Sequence, residues 1–206
     1  MKVTAYPKYT IIVRGYSDDE VTAILAAMEG LESHFAVEIT MNTPGAAAMI
    51  KAANKQLGDK LIIGAGTVIS WEAEVAAIRA GAKFILSACT FSREMIAYAK
   101  AHDVITVPGV MTPSEVSQQL EYGADIVKIF PATTVGPKYF KDIQAPLGKL
   151  RLMAVGGISK ENIKTFMTNG ASYVGIGSGA FNQADIHNRD VSKLHQSLLE
   201  LLSETK

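Results

Sequence analysis

Gly123-Ala124-Asp125-Ile126-Val127-Lys128-Ile129-Phe130-Pro131-Ala132 is the stretch on which the fold turns. A glycine suited to the left-handed conformation ends a helix. A short apolar run follows, broken by one lysine, and proline stops it. The same junction recurs at Gly81-Ala82 and Gly170-Ala171, each closing a helical pattern and opening an apolar strand. A repeated helix-to-strand junction implies strand–helix alternation, and hence parallel strands with right-handed crossovers.

Working outward, strands are expected at Thr10 to Val13, Phe35 to Thr40, Leu61 to Ile63, Phe84 to Ser87 and Val104 to Val107. After the lysine stretch they continue at Leu150 to Val155 and Tyr173 to Ile176. Ser17 with Glu20, and Thr112 with Glu115, have the spacing of capping boxes. Thr43-Pro44 is expected to open a helix with proline in its first position, and Val191 to Ser203 reads as a final amphipathic helix. Eight such units predict a single (β/α)8 TIM barrel over residues 1–206, with a parallel eight-stranded core. A doubly wound open sheet is the alternative. It usually carries a glycine-rich phosphate turn after the first strand, and none stands there.

Composition bounds the function. Of 206 residues, 48% are apolar and 19% charged, as in an ordinary globular chain. Lys+Arg and Asp+Glu balance at 20 each, which gives no reason to expect nucleic acid. The lone Cys89 allows no internal disulfide and reads as a small core thiol. Met1 to Thr10 lacks an apolar run of signal-peptide length, and nothing approaches a membrane span, so a cytoplasmic protein with no membrane partner is expected. His34, His102, His187 and His195 fall away from strand ends and no cluster has metal-ligand spacing, so neither a metal nor a cofactor is expected. Trp71, at a helix start, reads as packing.

A barrel places its active site at the C-terminal ends of the strands. Alternation puts Ile126, Lys128 and Phe130 on one face and Val127 and Ile129 on the other. A lysine among apolar neighbours loses hydration, its pKa falls, and the neutral amine can attack a ketone to form a Schiff base. The plainer reading is a lysine that snorkels to water or pairs with a carboxylate. Glu38 and Thr40 share a face of the second strand, where a lone carboxylate is costly unless used or paired. Its plainer reading is a structural ion pair with Arg14 or Lys128. The turns Gly156-Gly157 and Gly177-Ser178 follow the last two strands, the recurrent phosphate-binding place of this fold.

Those residues, taken together, resemble the 2-keto-3-deoxy-6-phosphogluconate (KDPG) / 4-hydroxy-2-oxoglutarate (KHG) aldolase family of class I aldolases on a (β/α)8 barrel. The resemblance runs from Ile12 to about Phe181. It is carried by Val37-Glu38-Ile39-Thr40, Gly64-Ala65-Gly66-Thr67-Val68, Pro108-Gly109 with Thr112-Pro113, Lys128-Ile129-Phe130-Pro131-Ala132, Gly156-Gly157-Ile158 and Gly177-Ser178. It implies Lys128 as the Schiff-base lysine and Glu38 as the acid/base. Thr67 would hold the pyruvate carboxylate, and Gly156, Gly157, Gly177 and Ser178 the phosphate. Phe130 and Asn42 complete the expected substrate-binding set. The sequence departs from the family where many members have an arginine at Asn42, Ser-Pro-Gly at Ser87-Ala88-Cys89, and threonine at Val155. Arg14, ending the first strand, is the expected substitute cation. The helix that often precedes strand one in the family is expected to be missing or very short here. A homotrimer is the assembly the family implies.

Three functions are weighed. A class I aldolase would cleave a 2-keto-3-deoxy (phospho)sugar acid, or 4-hydroxy-2-oxoglutarate, to pyruvate and an aldehyde such as glyceraldehyde 3-phosphate. A sugar-phosphate barrel without Schiff-base chemistry would use Lys128 only as a charge. A catalytically idle barrel would only bind its ligand.

Overall fold

A computed structural model describes residues 2–204. The strands are β1 (Tyr9–Val13), β2 (Phe35–Thr40), β3 (Ile62–Gly66), β4 (Phe84–Leu86), β5 (Ile105–Val107), β6 (Gly109–Val110), β7 (Val127–Ile129), β8 (Leu152–Val155) and β9 (Tyr173–Ile176). The α-helices are α1 (Asp18–Ala26), α2 (Ala46–Leu57), α3 (Trp71–Arg79), α4 (Arg93–Ala101), α5 (Pro113–Tyr122), α6 (Ala132–Val135), α7 (Lys138–Leu147), α8 (Ile163–Thr168), α9 (Gln183–His187) and α10 (Val191–Ser203). The strands lie in the order β5-β4-β3-β2-β1-β9-β8-β7-β6, and every pairing is parallel.

Nine strands stand where eight were expected because the fifth is interrupted. Pro108 separates β5 from β6, and proline has no N–H to give the ladder. Both edges of this stave stay paired. The N–H groups of Ile126, Lys128 and Phe130 donate to the carbonyls of Thr106, Pro108 and Val110 at 3.2, 2.9 and 3.0 Å. On the other side, Ser87 N–H donates to Val107 O and Gly109 N–H to Cys89 O. The barrel closes through this stave. Gly109 permits it, since a Cβ there would lie 2.6 Å from Ser87 O.

Parity sorts the side chains into two layers. Ile11, Val13, Val37, Ile39, Val127 and Ile129 pack outward under the helices, while Ile12, Phe84, Leu86, Ile126, Met153 and Val155 fill the barrel. Before β1 lies a 3-10 turn, Val3–Ala5. It delivers Tyr6 to the barrel floor, edge-on to Phe84 (5.2 Å) and Tyr173 (5.7 Å). The Tyr6 hydroxyl shares a 2.8 Å hydrogen bond with Thr10, so the buried phenol is not left unpaired. Gly81, Gly123 and Gly170 carry φ of +95°, +94° and +106°, the backbone needed to turn from helix to strand.

Three local expectations are corrected. Helix α2 begins at Ala46 behind Gly45, not at Pro44. The Thr43 hydroxyl does not cap it; it accepts from Gly15 N–H and bonds Thr40 Oγ1, each at 2.9 Å. Cys89 is exposed, because the turn carrying it lies past the end of β4. Trp71 is 44% exposed, resting on Tyr98 with ring centroids 4.8 Å apart. Among the described residues, no helix is long and apolar enough to cross a membrane.

Candidate active site

Lys128 sits mid-β7 and points into the barrel, 4% exposed. Its Nζ stands 4.7 Å from the centroid of the Phe130 ring, two residues along on the same face. Burial pushes its pKa down to about 8; the Glu38 carboxylate opposes that shift and the Arg14 guanidinium adds to it. Desolvation disfavours the ammonium form, and an aromatic face restores only part of the lost hydration.

Glu38, on β2, is 1% exposed. Burial pushes its carboxyl up to about 7 against the pull of Lys128 and Arg14, and Oε2 has no hydrogen-bond partner among the described residues. No ion pair within 4.0 Å joins Glu38 to Lys128 or Arg14 among the described residues. The structural ion pair is therefore absent, and an acceptor is left facing the interior. Register explains how the carboxylate fits. Glu38 pairs with Gly64 and Thr40 with Gly66, so two residues without side chains lie beside it. A Cβ on Gly66 would come 2.5 Å from Glu38 Cγ and nearer still to the carboxylate.

The remaining expected residues surround this pair unevenly. Thr67, just past β3, has φ +53°, a strained conformation for a β-branched residue. Arg14 is exposed at the end of β1. Beside it opens a cavity of about 310 Å3, lined by Arg14, Tyr16, Phe130, Gly156, Gly157, Gly177 and Ser178 among others. Gly156 and Gly157 have φ of +99° and +73°. The N–H groups of Gly157, Ser178 and Gly179 find no protein acceptor among the described residues. Lys128, Glu38 and Thr67 do not line this cavity. Phe130 joins the two halves, with Lys128 over its ring and the cavity on its flank. Asn42 is exposed in the loop after β2, outside the cavity.

The structure thus presents a buried amine–carboxyl end and an open end rich in free N–H donors. No group of three His, Cys, Asp or Glu side chains among the described residues is placed to hold a metal ion. Two contributors carried no sequence signal of their own. Tyr16 belongs to no motif of the sequence, and the service of Gly66 to Glu38 follows from cross-strand register alone.

The sequence matches the family described as "Aldolase: KDPG and KHG aldolase" over residues 9–197. It is 36% identical to the 2-dehydro-3-deoxy-6-phosphogalactonate aldolase of Escherichia coli (strain K12), over 82% of each chain. It is 30% identical to the 2-dehydro-3-deoxy-phosphogluconate aldolase of Treponema pallidum (strain Nichols), over 81% of this chain and 80% of that one. A solved structure described as native KDPGal superposes with a TM-score of 0.86 at 30% identity, covering 99% of this chain and 98% of the other.

Proposed function

The chain belongs to the KDPG and KHG aldolase family, and on that premise we propose that it cleaves a 2-keto-3-deoxy-6-phospho sugar acid to pyruvate and glyceraldehyde 3-phosphate through an imine on Lys128. The observation that carries this reading is a buried lysine with its pKa pushed down to about 8, next to a buried glutamate pushed up to about 7. A general acid/base works best with a pKa near the operating pH, and a nucleophilic amine must be neutral.

The neutral Lys128 Nζ attacks the C2 carbonyl to give a carbinolamine. Glu38 delivers a proton as water departs and the iminium forms. The carboxylate then takes the proton of the C4 hydroxyl, the C3–C4 bond breaks, and its electron pair flows into the iminium to leave an enamine. Protonation at C3 and attack of water on the imine release pyruvate. Low exposure strengthens each of these charge interactions. Thr67 and Arg14 hold the C1 carboxylate, Arg14 supplying the cation that Asn42 does not. Phe130 walls the C2 region beneath the amine. The turns Gly156-Gly157 and Gly177-Ser178, through the free N–H groups of Gly157, Ser178 and Gly179, receive the phosphate in the open cavity.

Galactonate and gluconate substrates differ in configuration at C4, where Glu38 would act. Relatives of both names are found, and the greater identity is to the galactonate enzyme. The phosphogalactonate epimer is therefore expected to have the larger kcat/KM. Pyruvate release from each epimer, followed with wild-type protein and Lys128→Arg, tests this. Cleavage of neither epimer, or unchanged turnover in Lys128→Arg, sinks the proposal. A homotrimer is part of the same reading, and the exposed Ile69 and Trp71 are apolar surface open to such a contact.

A further inference from the structure

We infer that the Tyr16 hydroxyl donates a hydrogen bond to the substrate phosphate and is aimed at it by Gln183; this rests on reading the open cavity as the phosphate site. Tyr16 lies in the turn between β1 and α1, half-buried, and lines the cavity of about 310 Å3 together with Arg14, Gly157, Gly177 and Ser178. Gln183 Nε2 donates to its hydroxyl oxygen at 3.2 Å. A phenol has one proton to give. With Gln183 occupying an acceptor position on the oxygen, that proton remains for an acceptor inside the cavity.

The contact also fixes which end of the substrate is concerned. Gln183 opens α9, on the segment that carries Gly177 and Ser178 out of β9. The phenol is therefore drawn toward the β9 side, away from Glu38 on β2 and Lys128 on β7. Two further surface contacts, Arg189 to Asp19 at 2.9 Å and His187 to Glu20 at 3.4 Å, join α9 and the turn after it to the start of α1. An anion beside Ser178 would meet free backbone N–H groups and this one phenolic O–H, a donor set matched to phosphate oxygens.

The test compares wild type, Tyr16→Phe and Gln183→Leu. Tyr16→Phe keeps the ring and removes only the proton. Its KM for the phosphorylated sugar acid is expected to rise by about ten- to a hundredfold, the range for a hydrogen bond to a charged group. Its kcat/KM for the unphosphorylated acid should stay within twofold of wild type, roughly the scatter of a neutral change. Inorganic phosphate, titrated directly by NMR or calorimetry, should bind Tyr16→Phe correspondingly more weakly. Gln183→Leu should give a smaller change in the same direction, and the double variant should be no worse than Tyr16→Phe, because the two residues act as one unit. Equal losses on phosphorylated and unphosphorylated substrates, or unchanged phosphate binding in Tyr16→Phe, would overturn the inference and leave Tyr16 as a structural tie. If the wild-type protein binds no phosphate, the cavity reading itself falls and takes this inference with it. That outcome is separable, because it appears before any variant is made.

Discussion

Gly66→Ala adds one methyl group where the barrel has no room for it. The new Cβ would lie 2.5 Å from Glu38 Cγ and closer to the carboxylate oxygens, whereas carbon atoms settle at about 3.5–4.0 Å. Glu38 must therefore move by roughly 1 Å or more, and a displacement of that size at a reacting group costs about a hundredfold in rate. That corresponds to about 2.7 kcal/mol at 1.36 kcal/mol per tenfold. The backbone itself tolerates alanine, since Gly66 is not among the positive-φ residues. A Gly→Ala change at such a site restricts the unfolded chain and adds about 0.4–1 kcal/mol of stability, which offsets part of the crowding. The expected variant is folded and slow. Steady-state cleavage gives kcat, thermal unfolding gives Tm, and borohydride trapping of pyruvate reports the amine separately. A kcat near wild type would refute the claim that the Glu38 carboxylate must sit where it does. Gly64→Ala is the contrast, because its Cβ would meet the Phe84 ring and backbone; it should lose stability instead of only rate.

The remaining predictions concern titration. Imine formation with pyruvate should rise with pH through about 8, where Lys128 becomes neutral. Glu38→Gln removes a charge that holds the lysine pKa up, so the rise should move to lower pH even as turnover is lost. Arg14→Ala should move it to higher pH. Because the pair is coupled, both limbs are apparent values of the site. Glu74, on α3, is buried with neither carboxylate oxygen partnered among the described residues, and burial pushes it from 4.5 up to about 7. The folded state therefore binds the extra proton, so its stability falls as pH rises from the unfolded value near 4.5 to about 7 and levels off above. Full ionisation costs up to about 3 kcal/mol at 1.36 kcal/mol per unit. Glu74→Leu should remove that slope and raise Tm at pH 8, as read by thermal melts at pH 5 and pH 8. A steeper slope in Glu74→Leu would contradict the assignment.

Much of the barrel was legible because its signals are local. Gly81, Gly123 and Gly170 need left-handed backbone whatever surrounds them, and strand parity alone turns Lys128 and Glu38 inward. What was hidden depends on partners far along the chain. The break at Pro108 appears only when both neighbouring strands claim hydrogen bonds from one stave. Thr43 looked like a helix cap, yet Gly15 claims its hydroxyl across 28 residues. Tyr16 gains meaning only from Gln183, which is 167 positions away. Cys89 reads as a core thiol, but where it stands the chain has already left the core.

The central claim is that Lys128 is the amine that engages the ketone. Incubation with pyruvate and borohydride, followed by proteolysis and peptide mass measurement, tests it most directly. The account predicts one reduced pyruvyl adduct, on the peptide bearing Lys128, and none in Lys128→Arg. An adduct on another lysine, or no adduct across the pH range where the amine is neutral, would contradict it.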